Sequence, residues 1–114
     1  MAIIIAMPKR PTYTIIFDEV VFDHLAMIER KFHSVILETI EEQLSFEPAT
    51  ETKNRKPLSE PNTFGVAWEI RFGHPDNRFR VFYRIDDETL QVRILALLVK
   101  RNNRLLFGSE EFEL

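Results

Sequence analysis

The sequence predicts a single α+β domain, in which an N-terminal strand and two antiparallel helices precede a three-stranded antiparallel meander. A β-branched and aromatic run at residues 13–17 predicts the first strand. Apolar residues at helical spacing over residues 18–45 predict the helices, and two-residue alternation over residues 64–104 predicts the meander. A chain of 114 residues with 45% hydrophobic side chains has the size of one domain and can bury a core. We therefore predict one domain over residues 1–114, with a loose leader at residues 1–11 and an acidic tail at residues 105–114.

The helical half of the chain begins directly after the first strand. Asp18 stands where a helix N-cap is expected, and apolar side chains then recur every three or four residues as far as Leu44. A single helix of this length would span roughly 40 Å, which is long for so small a domain. We therefore expect a break near residues 31–34 and two helices folded back on one another. Residues 48–63 contain three prolines and many polar side chains, which predicts a loop.

Alternation in the meander predicts one apolar face and one basic face. The apolar face of the middle strand comprises Phe79, Val81, Tyr83 and Ile85. The opposite face of the sheet carries Arg71, Arg80, Arg84 and Arg93, with Phe82 among them. A register that places Arg71 across from Arg80 buries the apolar residues of both strands together. The same rule predicts Val81 across from Ile94 and Tyr83 across from Val92.

Aligned arginines repel one another, and arginines arranged in this way usually have an anionic partner. From strand geometry alone, that partner is Glu69, the acidic tail, another protein or a phosphate. The net charge of −3 conceals an uneven distribution. Residues 1–52 carry four basic and nine acidic side chains, whereas residues 53–104 carry eleven basic and six acidic ones. Since a polyanion responds to the local field within about 8–10 Å, the basic half is compatible with phosphate binding.

Composition excludes several kinds of site. The chain has no cysteine, so disulfides, thiolate metal sites and a cysteine nucleophile are ruled out. Ile3–Ile5 is far too short for a membrane span, which needs about 20 apolar residues, and no basic residue precedes it as in a signal peptide. We expect a cytoplasmic protein that needs neither a cofactor nor a metal.

Several short motifs in the sheet half occur together in a fixed order. They are Trp68-Glu69-Ile70-Arg71, then Arg78-Phe79-Arg80-Val81-Phe82-Tyr83, then residues 94–98 with Lys100-Arg101, and before them the loop Asn54-Arg55-Lys56-Pro57-Leu58. This ordered set resembles the RelE/ParE superfamily of bacterial toxins over residues 13–108, and the loop is similar to that of HigB-like members. The resemblance implies a RelE-like β-α-α-β-β-β fold. It also implies the toxin of a type II toxin–antitoxin pair, which cuts messenger RNA in the decoding site of the ribosome.

The resemblance assigns roles to the basic residues. In RelE-like members the ribose 2′-hydroxyl attacks the adjacent phosphate, and charged side chains stabilise the additional negative charge. Arg80 and Arg101 would then bind the phosphate, and Arg71 would stabilise charge or manage a proton. The implied RNA-binding residues are Lys53, Arg55, Lys56, Arg84 and Lys100.

The proton chemistry departs from the family pattern. RelE carries a tyrosine near its C-terminus as a leading acid/base candidate, but the matching position here is Phe107, which cannot ionise. Glu69 beside Arg71 is interpreted as a base or as a salt-bridge partner. His74, in the turn at residues 73–77, is interpreted as an acid/base group or as an exposed turn residue. His24 and His33 lie in the predicted helices and are interpreted as surface or cap residues.

Two alternatives keep the predicted fold but change the function. A ParE-like toxin would act on DNA gyrase, and an inactive homologue would bind an antitoxin without cleaving RNA. All three interpretations predict an antitoxin partner, whose acidic or amphipathic segment covers the basic groove or the helices. The nuclease interpretation adds the ribosome and messenger RNA as partners.

Overall fold

The computed structural model describes residues 12–58, 67–74, 77–101, 104–107 and 110–111. In chain order its elements are β1 (Thr14–Phe17), α1 (Glu19–Ala26), a 3₁₀ turn (Arg30–Phe32), α2 (His33–Leu44), β2 (Arg55–Pro57), β3 (Trp68–Phe72), β4 (Phe79–Asp86), β5 (Gln91–Arg101), β6 (Arg104–Phe107) and β7 (Glu110–Glu111). The mixed α+β class with two helices is confirmed. The predicted leader at residues 1–11 lies outside the described residues.

The sheet is larger than the predicted meander. Strands β3, β4 and β5 form the expected antiparallel core, but β2 joins the outer edge of β3, and β6 and β7 extend the sheet beyond β5. Strand β1 pairs in parallel with the first residues of β5. The predicted order therefore holds only in part, because residues 105–107 and 110–111 of the expected tail belong to strands.

The register between β3 and β4 is the predicted one, with Arg71 opposite Arg80. The predicted register between β4 and β5 is wrong, since Val81 lies opposite Leu97 and Tyr83 lies opposite Ile94. The pairing skips Leu95, which forms a β-bulge that shifts the rest of β5 by one residue. Even-numbered residues of β5 before the bulge, such as Val92 and Ile94, therefore share the core face with odd-numbered residues after it, such as Leu97 and Val99.

Both helices pack on one face of the sheet. The main core contains Val21 of α1 and Ile36, Ile40 and Leu44 of α2, together with the apolar face of β3, β4 and β5. Helix α1 ends at Ala26, earlier than the expected break at residues 31–34. The imidazole Nε2 of His33, in the first turn of α2, donates to the carbonyl oxygen of Ile28 at 2.8 Å and ties the two helices together across the break.

Asp18 precedes α1 as predicted, although its carboxylate does not cap the helix. It instead accepts a hydrogen bond from the Nη1 group of Arg93 at 2.8 Å, which joins the start of α1 to β5. Helices in the described ranges are all too short or too polar to cross a lipid bilayer.

We expect Ile36→Ala to lower the free energy of unfolding by about 2–5 kcal/mol, because it opens a cavity between α2 and the sheet. Its matched control is Val35→Ala, one residue earlier on the same helix, where the side chain is 49% exposed. The control should change stability by no more than about 0.5 kcal/mol in urea denaturation. Equal losses in the two variants would contradict the assignment of this helix face to the core.

Candidate nucleic-acid interface

The face of the sheet opposite the helices carries a row of basic side chains, as the alternation predicts. Arg71 and Arg80 are directly opposed on β3 and β4, and Arg84 and Arg93 are opposed on β4 and β5. Arg84 lies four positions after Arg80 on β4, which places the two pairs roughly 13 Å apart. We call this side of the sheet the arginine face, and the opposed residues Arg71 and Arg80 the arginine pair.

The centre of the arginine face is buried rather than open to solvent. Phe82 lies between the two pairs and is fully buried against Ala96 and Leu98, with Leu58 packed beside them. Glu69 also belongs to this face and is buried. The arginine pair is half-buried at the edge of this second apolar cluster. The low local polarity strengthens any electrostatic interaction that the pair makes.

The arginine pair is linked to Glu69 by an ion pair. The Nε–H group of Arg71 donates to Glu69 Oε1. Burial lowers the pKa of Arg80, the neighbouring charge of Arg71 lowers it further, and the charge of Glu69 opposes both effects. The Nε atom of Arg80 is buried and has no hydrogen-bond partner in the described part of the chain. A phosphate oxygen bound beside the pair would meet two positive charges in a half-buried site.

A tight turn brings further basic side chains to the edge of the pair. Thr52 and Arg55 exchange backbone hydrogen bonds of 2.8 and 3.2 Å, which leaves Lys53 exposed at the tip of the turn. The carbonyl oxygen of Asn54 accepts from the backbone N–H of Arg71 at 2.9 Å, so the turn adjoins the arginine pair. Lys56 follows on β2, exposed and opposite Glu69. Both lysines are therefore positioned beside the pair.

Arg55 is the residue for which the RNA-binding prediction requires correction, because its side chain is directed into the fold. Its Nη groups donate to Gln43 Oε1 and to the carbonyl oxygens of Gln43 and Glu47, at 2.8, 2.8 and 2.5 Å. Opposite it on β3 lies Ile70, a residue of the main core. The last carbonyls of a helix lack partners within the helix, and Arg55 satisfies that of Gln43 and also the Glu47 carbonyl just beyond α2. Its role is structural.

Lys100 and Arg101 are separated by strand alternation. After the bulge, Ala96 and Leu98 lie on the arginine face, while Leu97 and Val99 lie in the main core. Continuing this alternation assigns Lys100 to the arginine face and the exposed Arg101 to the opposite face, at the end of β5. The bulge therefore determines which of the two basic side chains lies on the same face as Arg80.

The side chains of Tyr83, His24 and His33 form hydrogen bonds within the fold. The Tyr83 hydroxyl donates to the carbonyl oxygen of Pro48 at 2.7 Å, and burial raises the pKa of Tyr83. The backbone N–H of Leu97 donates to His24 Nδ1 at 3.2 Å, within the stretch of β5 that lies between its pairings with β1 and β6. His33 is held by Ile28, as described above. His74 is exposed just after β3.

Cation–aromatic contacts at the β3–β4 end of the sheet were not anticipated from the sequence. The guanidinium carbon of Arg78 lies 4.9 Å from the ring centroid of Phe32 and 5.6 Å from that of Phe79. The motif around Arg80 gave no signal that Arg78 would cover these rings. In the described ranges, no group of three or more His, Asp or Glu side chains is placed to hold a metal ion.

Three solved structures that are similar to this chain contain RelE toxins. The RelBE2 toxin–antitoxin complex from Mycobacterium tuberculosis matches with 28% identity and a TM-score of 0.59, covering 75% of this chain and 95% of that one. The archaeal RelE–RelB complex from Pyrococcus horikoshii OT3 matches with 22% identity and a TM-score of 0.57, covering 75% and 92%. A double mutant of the Escherichia coli toxin RelE in the free state matches with 17% identity and a TM-score of 0.56, covering 75% and 81%.

No family model and no curated protein matches the chain. The fold is nevertheless that of a RelE-type toxin, with the helices on one face of the sheet and the basic side chains on the other. The chain is similar in fold to RelE toxins, and at 28% identity it is also similar in sequence to the complex from Mycobacterium tuberculosis, which supports the RelE-like toxin superfamily. This similarity supports a toxin role for it.

We expect Arg55→Ala to destabilise the domain by about 1.5–3 kcal/mol, because it removes the hydrogen bonds from a buried, charged guanidinium to Gln43 and Glu47. The neighbouring Lys56→Ala variant is the control, and its exposed side chain should contribute no more than about 0.5 kcal/mol. Chemical denaturation of both variants measures the difference. An Arg55→Ala variant as stable as Lys56→Ala would contradict the structural role of Arg55 and leave its predicted role in RNA binding open.

Proposed function

We propose that the protein is the toxin of a toxin–antitoxin pair and cleaves messenger RNA on the ribosome. The observation that carries this proposal is the half-buried arginine pair on the face of the sheet opposite the helices. Attack of a ribose 2′-hydroxyl on the adjacent phosphate places additional negative charge on the phosphate oxygens. Guanidinium groups fixed before the reaction stabilise that charge without reorganising, and such electrostatic stabilisation accounts for much of the rate acceleration in many enzymes.

The basic side chains around the pair would position the RNA. Lys53 and Lys56 flank it on the β2 side, and Lys100 flanks it on the β5 side. Arg84 lies roughly 13 Å away along β4, about two phosphates further along an extended strand of RNA. Arg101, which the resemblance assigns to the reacting phosphate, would have to reach that phosphate from the opposite face, at the end of β5.

Of the two acid/base candidates that the sequence raises, Glu69 and His74, only His74 is exposed. Arginine stays protonated in proteins and cannot act as a base. Tyr83, His24 and His33 are engaged in the fold, and the Glu69 carboxylate is enclosed. A histidine can exchange a proton near neutral pH, so we keep His74 as the proposed acid/base residue.

An antitoxin would cover the apolar surface on the helical side. The side chains of Val20, Phe22, Met27, Val35, Leu37 and Phe46 are large, apolar and exposed. A cleft of about 440 Å³ separates β1 from α2, and Tyr13, Ile15, Phe17, Leu37 and Ile40 line most of it. Exposed apolar surface of this kind marks protein interfaces. Two of the similar structures are toxin–antitoxin complexes, which supports an antitoxin as the partner.

We expect Arg80→Ala to lower ribosome-dependent mRNA cleavage by roughly 10²–10³-fold, because it removes one of two charges that stabilise the transition state. The measurement is cleavage of a defined message on programmed ribosomes, with thermal melting as the test of folding. The control is Arg30→Ala, which removes an exposed arginine from the helical side. Unchanged cleavage in a folded Arg80→Ala protein would remove the arginine pair as the active site. Blocked replication with intact messages would indicate gyrase as the target instead.

We expect Leu37→Glu to weaken binding of the antitoxin encoded beside this gene by more than about tenfold, because a carboxylate in the apolar cleft would be buried without a partner. Calorimetry on the purified pair measures the affinity. Glu42→Gln, an exposed position on the same helix, is the control. Loss of binding in Arg80→Ala but not in Leu37→Glu would place the antitoxin on the arginine face.

A further inference from the structure

A buried carboxylate lies within the basic face of the sheet. The Glu69 side chain is only 2% exposed, although its neighbours across the strands are the exposed Lys56 and the apolar Phe82. Enclosing an ionised carboxylate is unfavourable unless a specific partner compensates for the lost hydration. The partner that the structure shows is Arg71, two residues further along the same face of β3. The buried carboxylate of Glu69 is therefore stabilised by its ion pair with Arg71.

The atom that Glu69 engages on Arg71 decides what remains for a ligand. The hydrogen bond uses Nε–H, whereas the two Nη groups take no part in it. A guanidinium held at Nε has one orientation, and its Nη fork is the part that matches two oxygens of a phosphate. The Arg71 side chain is 32% exposed, so it can reach a ligand while it is held.

Arg80 completes the arrangement from the neighbouring strand. It lies directly opposite Arg71, so the two guanidinium groups would repel each other with no anion nearby. Glu69 supplies one fixed negative charge beside the pair, which leaves the three side chains with a net charge of about +1. One phosphate group of an RNA backbone carries the complementary charge.

Glu69 itself is enclosed too well to touch a substrate. A general base has to lie within about 2.6–3.2 Å of the hydroxyl whose proton it removes. The enclosed oxygen already accepts the Arg71 hydrogen bond. A role in proton transfer would require this ion pair to break and the carboxylate to leave its site.

We propose that Glu69 is a positioning residue, whose buried carboxylate holds Arg71 at Nε so that Arg71 and Arg80 receive one phosphate group together. This inference rests on the proposed function for its catalytic consequence, but the held guanidinium can be observed without any nuclease activity. It also replaces the acid/base interpretation of Glu69.

The experiment compares Glu69→Gln and Glu69→Ala with the wild type, and uses Glu42→Gln as a control that removes the same charge from an exposed site. The amide oxygen of the glutamine variant can still accept the Nε–H bond, whereas alanine cannot. Cleavage on programmed ribosomes gives kcat and KM for each protein as a function of pH. Side-chain NMR follows the Nε–H signals of the arginines, with and without inorganic phosphate as the probe.

We expect Glu69→Ala to lower kcat by roughly 10–100-fold through misplacement of Arg71, while Glu69→Gln stays within about threefold of the wild type. The pH profile of Glu69→Gln should keep its shape. A base role predicts the opposite, namely that the glutamine variant loses roughly 10²–10⁴-fold in kcat together with the acidic limb of the profile. That result would overturn the proposal. If the alanine variant does not fold, the comparison of wild type with Glu69→Gln still decides between the two roles.

The NMR measurements test the positioning even if the protein cleaves no RNA. The Nε–H of Arg71 should exchange with water more slowly than that of the exposed Arg30 in the wild type and in Glu69→Gln, and phosphate should shift both Arg71 and Arg80. In Glu69→Ala the protection of Arg71 should be lost. An unprotected Arg71 in the wild type would overturn the proposal. A protected Arg71 that responds to phosphate in a protein without cleavage would refute the nuclease function and leave the positioning role supported.

Discussion

The two-residue alternation of β4 is the constraint on which both the stability and the chemistry of this protein depend. Because β4 lies between β3 and β5, each of its side chains is committed to one of two faces. Phe79, Val81 and Tyr83 bury themselves beneath the helices, and this commitment places Arg80 and Arg84 on the other side. A slip of one residue would bring the arginines under the helices, where an unpaired charge is strongly unfavourable. Burial of the apolar side chains beneath the helices therefore also places the guanidinium groups on the opposite face of the sheet.

The second face combines features that oppose one another energetically. An open basic face would be well hydrated, and its charges would be screened within about 8–10 Å. Here Phe82, Ala96 and Leu98 form a small apolar cluster beside the arginine pair, which removes water and lowers the pKa of Arg80 through burial. The same desolvation strengthens attraction for a phosphate. The arrangement sacrifices some stability of the unbound domain for stronger interaction with an anion, and the buried Glu69 limits that loss.

Much of this could be predicted from the sequence, and the failures have physical causes. Alternation is clear in β3 and β4, so the pairing of Arg71 with Arg80 was predicted correctly. In β5 the continuous apolar run at residues 94–99 has no alternation to show the bulge at Leu95, and the register was therefore wrong. The resemblance assigned Arg55 to RNA binding because it lies in the basic loop with Lys53 and Lys56. Its acceptors are carbonyl groups and one amide at the end of α2, which no spacing in the sequence indicates.

The net charge of the chain is a poor guide to what it binds. Acidic side chains dominate the helical half of the chain, while the sheet half is basic. The net charge of −3 sums these two halves, although a ligand bound to one face experiences mainly the charges of that face. The opposed arginines repel in the unbound protein, so an arriving phosphate gains their attraction and also relieves their repulsion. A single arginine would attract the phosphate but would have no repulsion to relieve. Cross-strand pairing of like charges, which is a defect in a purely structural sheet, thus becomes a source of affinity where an anion is expected.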